Sequence, residues 1–314
     1  MADSIGRRKI QIDKIAEKMT KKTEEELVRQ YKMSLRNIKR QMADIYERYE
    51  INGELTFAEM TRYNRIAGLW DNINKELVLM TDHNSEQIRR LSGDVFGESF
   101  YRSGFMFEEA LRADLNYSLL NPMVIQASVE NPISGLTLNE ILEKNRTNII
   151  RDVKQTITQG LIQGNSYSKM ARRLTTTFEG DLAKANRVVR TEVHRNKEAG
   201  SLAAGEHARE LGVKFSVVWM STLDARTRDQ HGSMDGQVAK EVDGKTWEFT
   251  FPDGIKTPAP GMSGYAHHDI NCRCTTRKRP TGFETPSMRR IRGEGLTEYK
   301  TYDQWAEEKG IKRK

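Results

Sequence analysis

Cysteine is nearly missing from this chain: 314 residues hold two, Cys272 and Cys274, one residue apart. That spacing closes no useful loop, so there is no disulfide framework, and a reducing cytoplasm is the expected place of synthesis. Long apolar runs are missing as well. None approaches the about 18 residues that cross a bilayer, and the start, Met-Ala-Asp-Ser-Ile-Gly-Arg-Arg-Lys, has no apolar stretch of a secretory signal. Neither membrane integration nor export is therefore expected. Glycine-rich phosphate loops do not occur, in either the G-x-x-x-x-G-K-[ST] or the G-x-G-x-x-G form. Proline is scarce, and between Arg7 and Asn52 there is neither proline nor glycine to interrupt a helix.

Charge is plentiful. Charged residues make up 30% of the chain against 37% hydrophobic, enough for a core but with much of the length kept wet, as in long exposed helices. The net charge of +7 sits at the ends: residues 1–50 hold 13 Lys and Arg against 9 Asp and Glu, and residues 270–314 hold 12 against 6. Basic ends attract polyanions in a salt-sensitive, sequence-blind way, although the same charge also serves simply to solvate helices.

Tyr31, Leu35, Ile38, Met42, Ile45 and Tyr49 step by 4, 3, 4, 3, 4, a heptad seam. Thr23 with Glu26 reads as a capping box that opens this helix, and Asn52-Gly53 ends it. Thr56 with Glu59 opens a second helix to about Met80, with Tyr63, Ile66, Trp70, Ile73 and Leu77 on one face. The two form a hairpin whose seam serves ordinary packing or docks on a partner. Gly93, Gly97 and Gly104 should bend or break a helix over residues 85–116. Helices resume at about 137–163 and 166–177. A long one follows, capped by Asp181 and stopped by Gly212. After Gly212 the period changes to strands at 214–221, 246–251 and 271–279, with an irregular loop at 252–265. Tyr299, Tyr302 and Trp305 suggest one short amphipathic helix on a mobile basic arm, residues 280–314. The expected class is α+β, with a mainly helical first two-thirds and a small β-containing module after it.

The chemistry-bearing residues crowd between Trp219 and Cys274. In order they are Trp219, Asp224-Ala-Arg226-Thr-Arg228-Asp-Gln-His231, Asp235-Gly236, Pro260-Gly261, and His267-His268-Asp-Ile-Asn271-Cys272-Arg273-Cys274. Asp224 is placed to accept a fork from Arg226 or Arg228, and Thr227 to cap a short helix carrying His231, so polar struts are one reading. A tetrahedral zinc site from His231, His268, Cys272 and Cys274 is another. A metal-dependent nuclease using Asp224, Asp235 and Asp269 with His267 and His268 is the third, weakened by the absence of any repeated carboxylate spacing.

Preceded by Arg190-Thr191-Glu192, this ordered set resembles the head-morphogenesis, or minor head protein, family of tailed bacteriophages with its MuF-like domain. The resemblance is carried by residues 180–279 and assigns residues 121–279 to that domain, after a helical region with its hairpin at 1–120. It implies a non-enzymatic virion protein, inside the head and in the host cytoplasm during assembly, that meets the portal protein and other capsid or scaffolding proteins. Trp219, Asp224, Arg226, Arg228, His231, Asn271, Cys272 and Cys274 would be its structural motif. Non-specific contact with double-stranded DNA would fall to Arg277, Lys278, Arg279, Arg289, Arg290 and Arg292. No cofactor is implied, zinc excepted, and the competing function is a metal-dependent nuclease or zinc-containing DNA-binding protein of the virion.

Overall fold

The computed structural model describes residues 2–280 except Leu223 and 243–245, together with 289–291, 295–297, Glu307 and Gly310; side chains are described from Lys9 to Arg279, with the same gaps and Tyr63 left out. The element order is α1 (Ala2–Tyr49), α2 (Phe57–Thr61), a 3₁₀ turn (Arg62–Asn64), α3 (Arg65–Leu111), α4 (Pro122–Glu130), α5 (Leu138–Ile162), α6 (Tyr167–Glu210), β1 (Phe215–Met220), α7 (Asp229–Gly232), β2 (Lys240–Val242), β3 (Thr246–Thr250), β4 (Lys256–Thr257), α8 (Ala266–Asp269), β5 (Thr275–Pro280), β6 (Arg289–Ile291) and β7 (Gly295–Thr297). Long helices followed by short strands make the chain α+β. Two compact units share it: residues 1–20, 90–135 and 190–314 form one, and residues 21–89 and 136–189 the other. The units are interleaved in sequence, each drawing on stretches from both 1–120 and 121–279.

The second unit is all helix. Its α1 stretch buries Leu27, Tyr31, Ser34, Ile38, Met42 and Tyr46, an ordinary helix stripe rather than a strict heptad. That stripe is occupied from within the unit. The Tyr31 hydroxyl donates to Asp181 Oδ2 at 2.7 Å and its ring meets Phe178 edge-on, while the Tyr46 hydroxyl donates to the Asn165 carbonyl at 2.6 Å. The seam is therefore not a vacant docking face. Thr23 and Glu26 lie inside α1 and cap nothing; Glu26 instead accepts from Gln30 and Arg29 on the helix surface. Asp181 likewise lies inside α6, buried on the face that meets Tyr31, so no break separates 166–177 from the helix after it. The sequence-predicted cap at Thr56 does hold, accepting from Glu59 N, and Thr137 with Glu140 forms a reciprocal capping box that sequence reasoning missed.

In the first unit the glycines of α3 do not break it. Helix α3 runs unbroken from Arg65 to Leu111; Gly93 and Gly104 lie against other side chains, while a Cβ on Gly97 would meet nothing within 4 Å. A Cβ on Gly104 would stand 2.7 Å from the ring of Tyr117, whose hydroxyl donates to the Ala204 carbonyl at 2.6 Å. On α6, Gly200 has the backbone of Phe96 against it with no room for a methyl. Around these contacts Phe100, Phe105, Met106, Phe107, Leu115, Tyr117, Ala204 and Ala208 form one apolar cluster.

The β module has its own core of Val217, Trp219, Met234, Trp247, Phe249, Phe251, Cys272 and Cys274. Strands β1 and β5 pair antiparallel from Phe215 opposite Pro280 to Met220 opposite Thr275, and β2, β3 and β4 form a second antiparallel sheet. Residues 236–239 bond to β1 through Gly236 N to Trp219 O, Trp219 N to Gln237 O and Ala239 N to Val217 O. Residues 271–274, expected to begin the last strand, lie before it: a turn ends at Asn271, and residues 272–274 lead from it into β5 at Thr275. The proposed helix at Tyr299, Tyr302 and Trp305 lies outside the described residues.

Candidate functional site

Asn271 ends the turn after α8 with φ of +56°, a left-handed conformation that asparagine tolerates better than most residues. Its N–H donates to Thr191 Oγ1, the residue of the Arg190-Thr191-Glu192 helix that this turn rests on. Beyond Asn271, the sulfurs of Cys272 and Cys274 point inward together while Arg273 between them points out. Arg273 gives a two-pronged bond to Asp224, Nη1 to Oδ2 at 2.5 Å and Nη2 to Oδ1 at 2.6 Å. These bonds hold the Asp224 carboxyl well below the usual range. The strut expected from Arg226 or Arg228 is thus supplied by Arg273. Arg226 is 81% exposed and 3.7 Å from Asp224, and Arg228 donates to the Ile270 carbonyl at 2.6 Å. Thr227 bonds the Thr222 carbonyl and does not cap α7, whose first turn follows Arg228 with no side-chain cap.

Asp-x-Arg-Thr-Arg-x-x-His and the Ile-Asn-Cys-Arg-Cys segment are therefore stitched to each other at three levels: Arg273 to Asp224, Arg228 to Ile270, and His231 to the cysteines. His231 Nδ1 lies 3.6 Å from Cys272 Sγ and 3.6 Å from Cys274 Sγ, and all three residues are at most 4% exposed. Its Nε2 lies 3.2 Å from His268 Nδ1, and His268 Nε2 lies 2.9 Å from Asp253 Oδ2. His268 thus joins the cluster through the far side of His231, not as a fourth neighbour of the sulfurs. A second group, Asp253, His267 and His268, gathers nearby. Aromatic rings wall the histidines: Phe251 stacks on His268 at 3.9 Å and Trp219 meets His231 edge-on at 6.0 Å. Burial holds His268 below the ordinary imidazole range against the pull of Asp253. Of the two thiols, Cys274 is brought down to about 4, first by its hydrogen bond with Cys272, while that same bond holds Cys272 up.

The carboxylates of the nuclease reading serve as braces. Asp269 accepts from Ser263 N and Oγ and from Gly264 N, Asp235 accepts from Ser221 N, and Asp224 is taken by Arg273. Sequence reasoning missed Asp253. Its signal was the Asp253-Gly254 pair ending the Trp247, Phe249, Phe251 alternation, where Asp253 Oδ1 accepts from Ile255 N as a turn residue does.

Among the basic candidates, Arg279 is exposed and Arg277 half-buried. Lys278 is corrected: it is 4% exposed, its Nζ donates to Ser201 Oγ at 2.5 Å, and strand alternation turns it inward between the two arginines. Arg289 and Arg290 lie on β6 with side chains not described, and Arg292 lies outside the described residues. Burial, then Lys9, pushes the Lys278 ammonium down to about 7, opposed by Glu198 and Glu206. Between about pH 7 and the ordinary 10.5 the unfolded chain then binds a proton that the folded chain lacks, so this residue makes stability rise with pH across that window. Lys278→Met should flatten that rise, as read from denaturant midpoints at pH 7 and pH 9; an unchanged slope would show the ammonium is not the source.

Comparison with known proteins fits this architecture to one class. Residues 151–277 match the family described as Phage Mu protein F like protein, which takes in the end of the helical stretch and almost all of the β module. The chain is 32% identical over 303 residues to the minor head protein GP7 of Bacillus phage SPP1, covering 95% of this chain and 96% of that one. It belongs to the phage minor head protein family. It is also 30% identical over 283 residues to the NAD(+)–arginine ADP-ribosyltransferase EFV of Enterococcus faecalis, covering 90% of this chain but 56% of that protein, much of which has no counterpart here. An uncharacterized protein of Haemophilus influenzae is 24% identical over 151 residues, 47% of this chain and 29% of that one. No solved structure matches.

Proposed function

We propose that this chain is a structural component of the virion that acts in head morphogenesis, associating with the portal protein and with other capsid or scaffolding proteins. The end-to-end likeness to the SPP1 minor head protein carries this reading, because it spans both compact units and not the β module alone. On this reading the protein is not an enzyme. Supporting that, the motif carboxylates Asp224, Asp235 and Asp269 are all engaged as braces within the chain. It assembles in the host cytoplasm and resides inside the head, and no described helix is long and apolar enough to cross a membrane. Its basic ends, with Arg277, Arg279, Arg289, Arg290 and Arg292, supply a sequence-blind attraction to double-stranded DNA.

The test is co-sedimentation of the full chain with portal oligomers. Retention of the chain in the portal fraction is expected, and its absence at micromolar concentrations of both would end the portal assignment. Removing residues 1–80 is no clean probe of docking, because that stretch supplies the buried stripe of the all-helical unit. For DNA, affinity should fall steeply with salt and drop on removing residues 281–314. Salt-independent binding would exclude a phosphate-driven contact.

A further inference from the structure

Follow the protons from Asp253 inward. A carboxylate accepts, so His268 Nε2 at 2.9 Å carries the proton and His268 Nδ1 is left with a lone pair. That lone pair, 3.2 Å from His231 Nε2, requires the proton there too. His231 therefore faces the two sulfurs with Nδ1 alone. That nitrogen's one lone pair accepts from one thiol at a time, while both sulfurs lie 3.6 Å away. A cation placed among the three serves both.

We propose that His231 Nδ1, Cys272 Sγ and Cys274 Sγ bind a zinc ion, and that Asp253 and His268 are positioning residues that aim the His231 lone pair at it. The dimensions agree. A tetrahedral centre with metal–sulfur bonds of about 2.3 Å and metal–nitrogen bonds of about 2.0 Å has a sulfur–nitrogen edge of about 3.5–3.6 Å. The three ligand atoms lie within 4.8 Å of one another, all on buried residues. Two thiolates and an imidazole select zinc over magnesium or calcium, which take oxygen. A carboxylate behind a ligating histidine is the usual outer support of such a centre; here a second histidine extends it by one step. Cys-x-Cys, tighter than the common spacing, works because extended backbone turns residues two apart to one side. Among the described residues no fourth His, Cys, Asp or Glu joins this group, so one tetrahedral position is left for water. The ion would tie the α7 turn to the segment before β5. This goes beyond the assembly role and stands or falls without it.

The full chain, purified under reducing conditions and stripped of metal, should be titrated with cobalt(II) and then with competing zinc(II). One equivalent of cobalt should give tetrahedral visible bands with thiolate-to-cobalt charge transfer, and zinc should erase them. Cys272→Ser and Cys274→Ser should each remove the charge-transfer band or weaken binding by more than tenfold. Asp253→Asn is the decisive variant, since an asparagine retains the turn. With its oxygen still accepting from Ile255 N, its NH₂ group would face His268 Nε2 and reverse every proton in the relay, putting an N–H of His231 against the sulfurs. Metal affinity should fall about 10–100-fold with the circular dichroism unchanged. Three results would overturn the proposal: no charge-transfer band in the wild type, an octahedral spectrum without thiolate character, which would move the metal to Asp253, His267 and His268, or undiminished affinity in Asp253→Asn.

Discussion

Glu198→Ala should lower the unfolding free energy by about 3–5 kcal/mol, the range for removing one partner of a buried ion pair. Glu198 is fully buried on α6. Its carboxylate accepts from Lys9 Nζ at 2.9 Å, Thr275 Oγ1 at 2.7 Å, and Thr276 N and Oγ1 at 3.1 and 2.9 Å, with Lys197 Nζ at 3.3 Å. It thus joins the start of α1, α6 and the start of β5, all within one compact unit. Alanine leaves the Thr276 N–H without its acceptor and two ammonium groups without their shared counter-charge, although Lys197 keeps Asp13 at 2.6 Å. Glu198→Gln keeps an oxygen for the threonines and should cost less. Burial would raise the Glu198 carboxyl, yet Lys9 and Lys197 bring it well below the ordinary 4.5. A depressed carboxylate stabilises above its unfolded value and loses that contribution as pH falls through the folded one. The gap between wild type and Glu198→Gln should therefore be constant above about pH 5 and close in stronger acid. Equal denaturant midpoints for wild type and Glu198→Ala at pH 7 would show that this hub is not holding the unit together.

Local chemistry was legible in the sequence and tertiary pairing was not. The Thr56 cap, the Gly212 stop and the alternation of Trp247, Phe249 and Phe251 depend on neighbours a few residues away, and the structure has each of them. Asp181 and Gly104 were misread because each has a local meaning, cap or break, that a distant partner overrides. Tyr31 lies 150 residues from Asp181, and the Tyr117 ring is what gives Gly104 its purpose. Lys278 reads as one more residue of a basic run until strand alternation puts it inside. The motif showed the same limit: its residues were identified, but their pairing was not. Asp224 and Arg226 are two residues apart in sequence, while the fork comes from Arg273, brought across by the turn at Asn271.

Trp219→Ala should cost about 3–5 kcal/mol, as for other large aromatic deletions from a packed core. The side chain is fully buried in β1, meeting Phe249 at 5.2 Å, Phe251 at 5.4 Å and His231 at 6.0 Å, each edge-on, while Nε1 donates to Ser221 Oγ at 3.1 Å. Ser221 in turn donates to the His231 carbonyl, so the indole braces α7 by its ring and by its N–H. Deleting it leaves a cavity beside the histidines and frees Ser221 to turn away. Trp219→Phe keeps most of the ring but loses the N–H, and should cost markedly less. The loss should also be local: hydrogen exchange should accelerate at the β1 and β5 amides while α5, in the other compact unit, keeps its protection. A Trp219→Ala chain that unfolds within about 1 kcal/mol of wild type would mean that the paired sheets hold the module without the core between them. The ordered motif from Trp219 to Cys274 would then need an explanation other than packing.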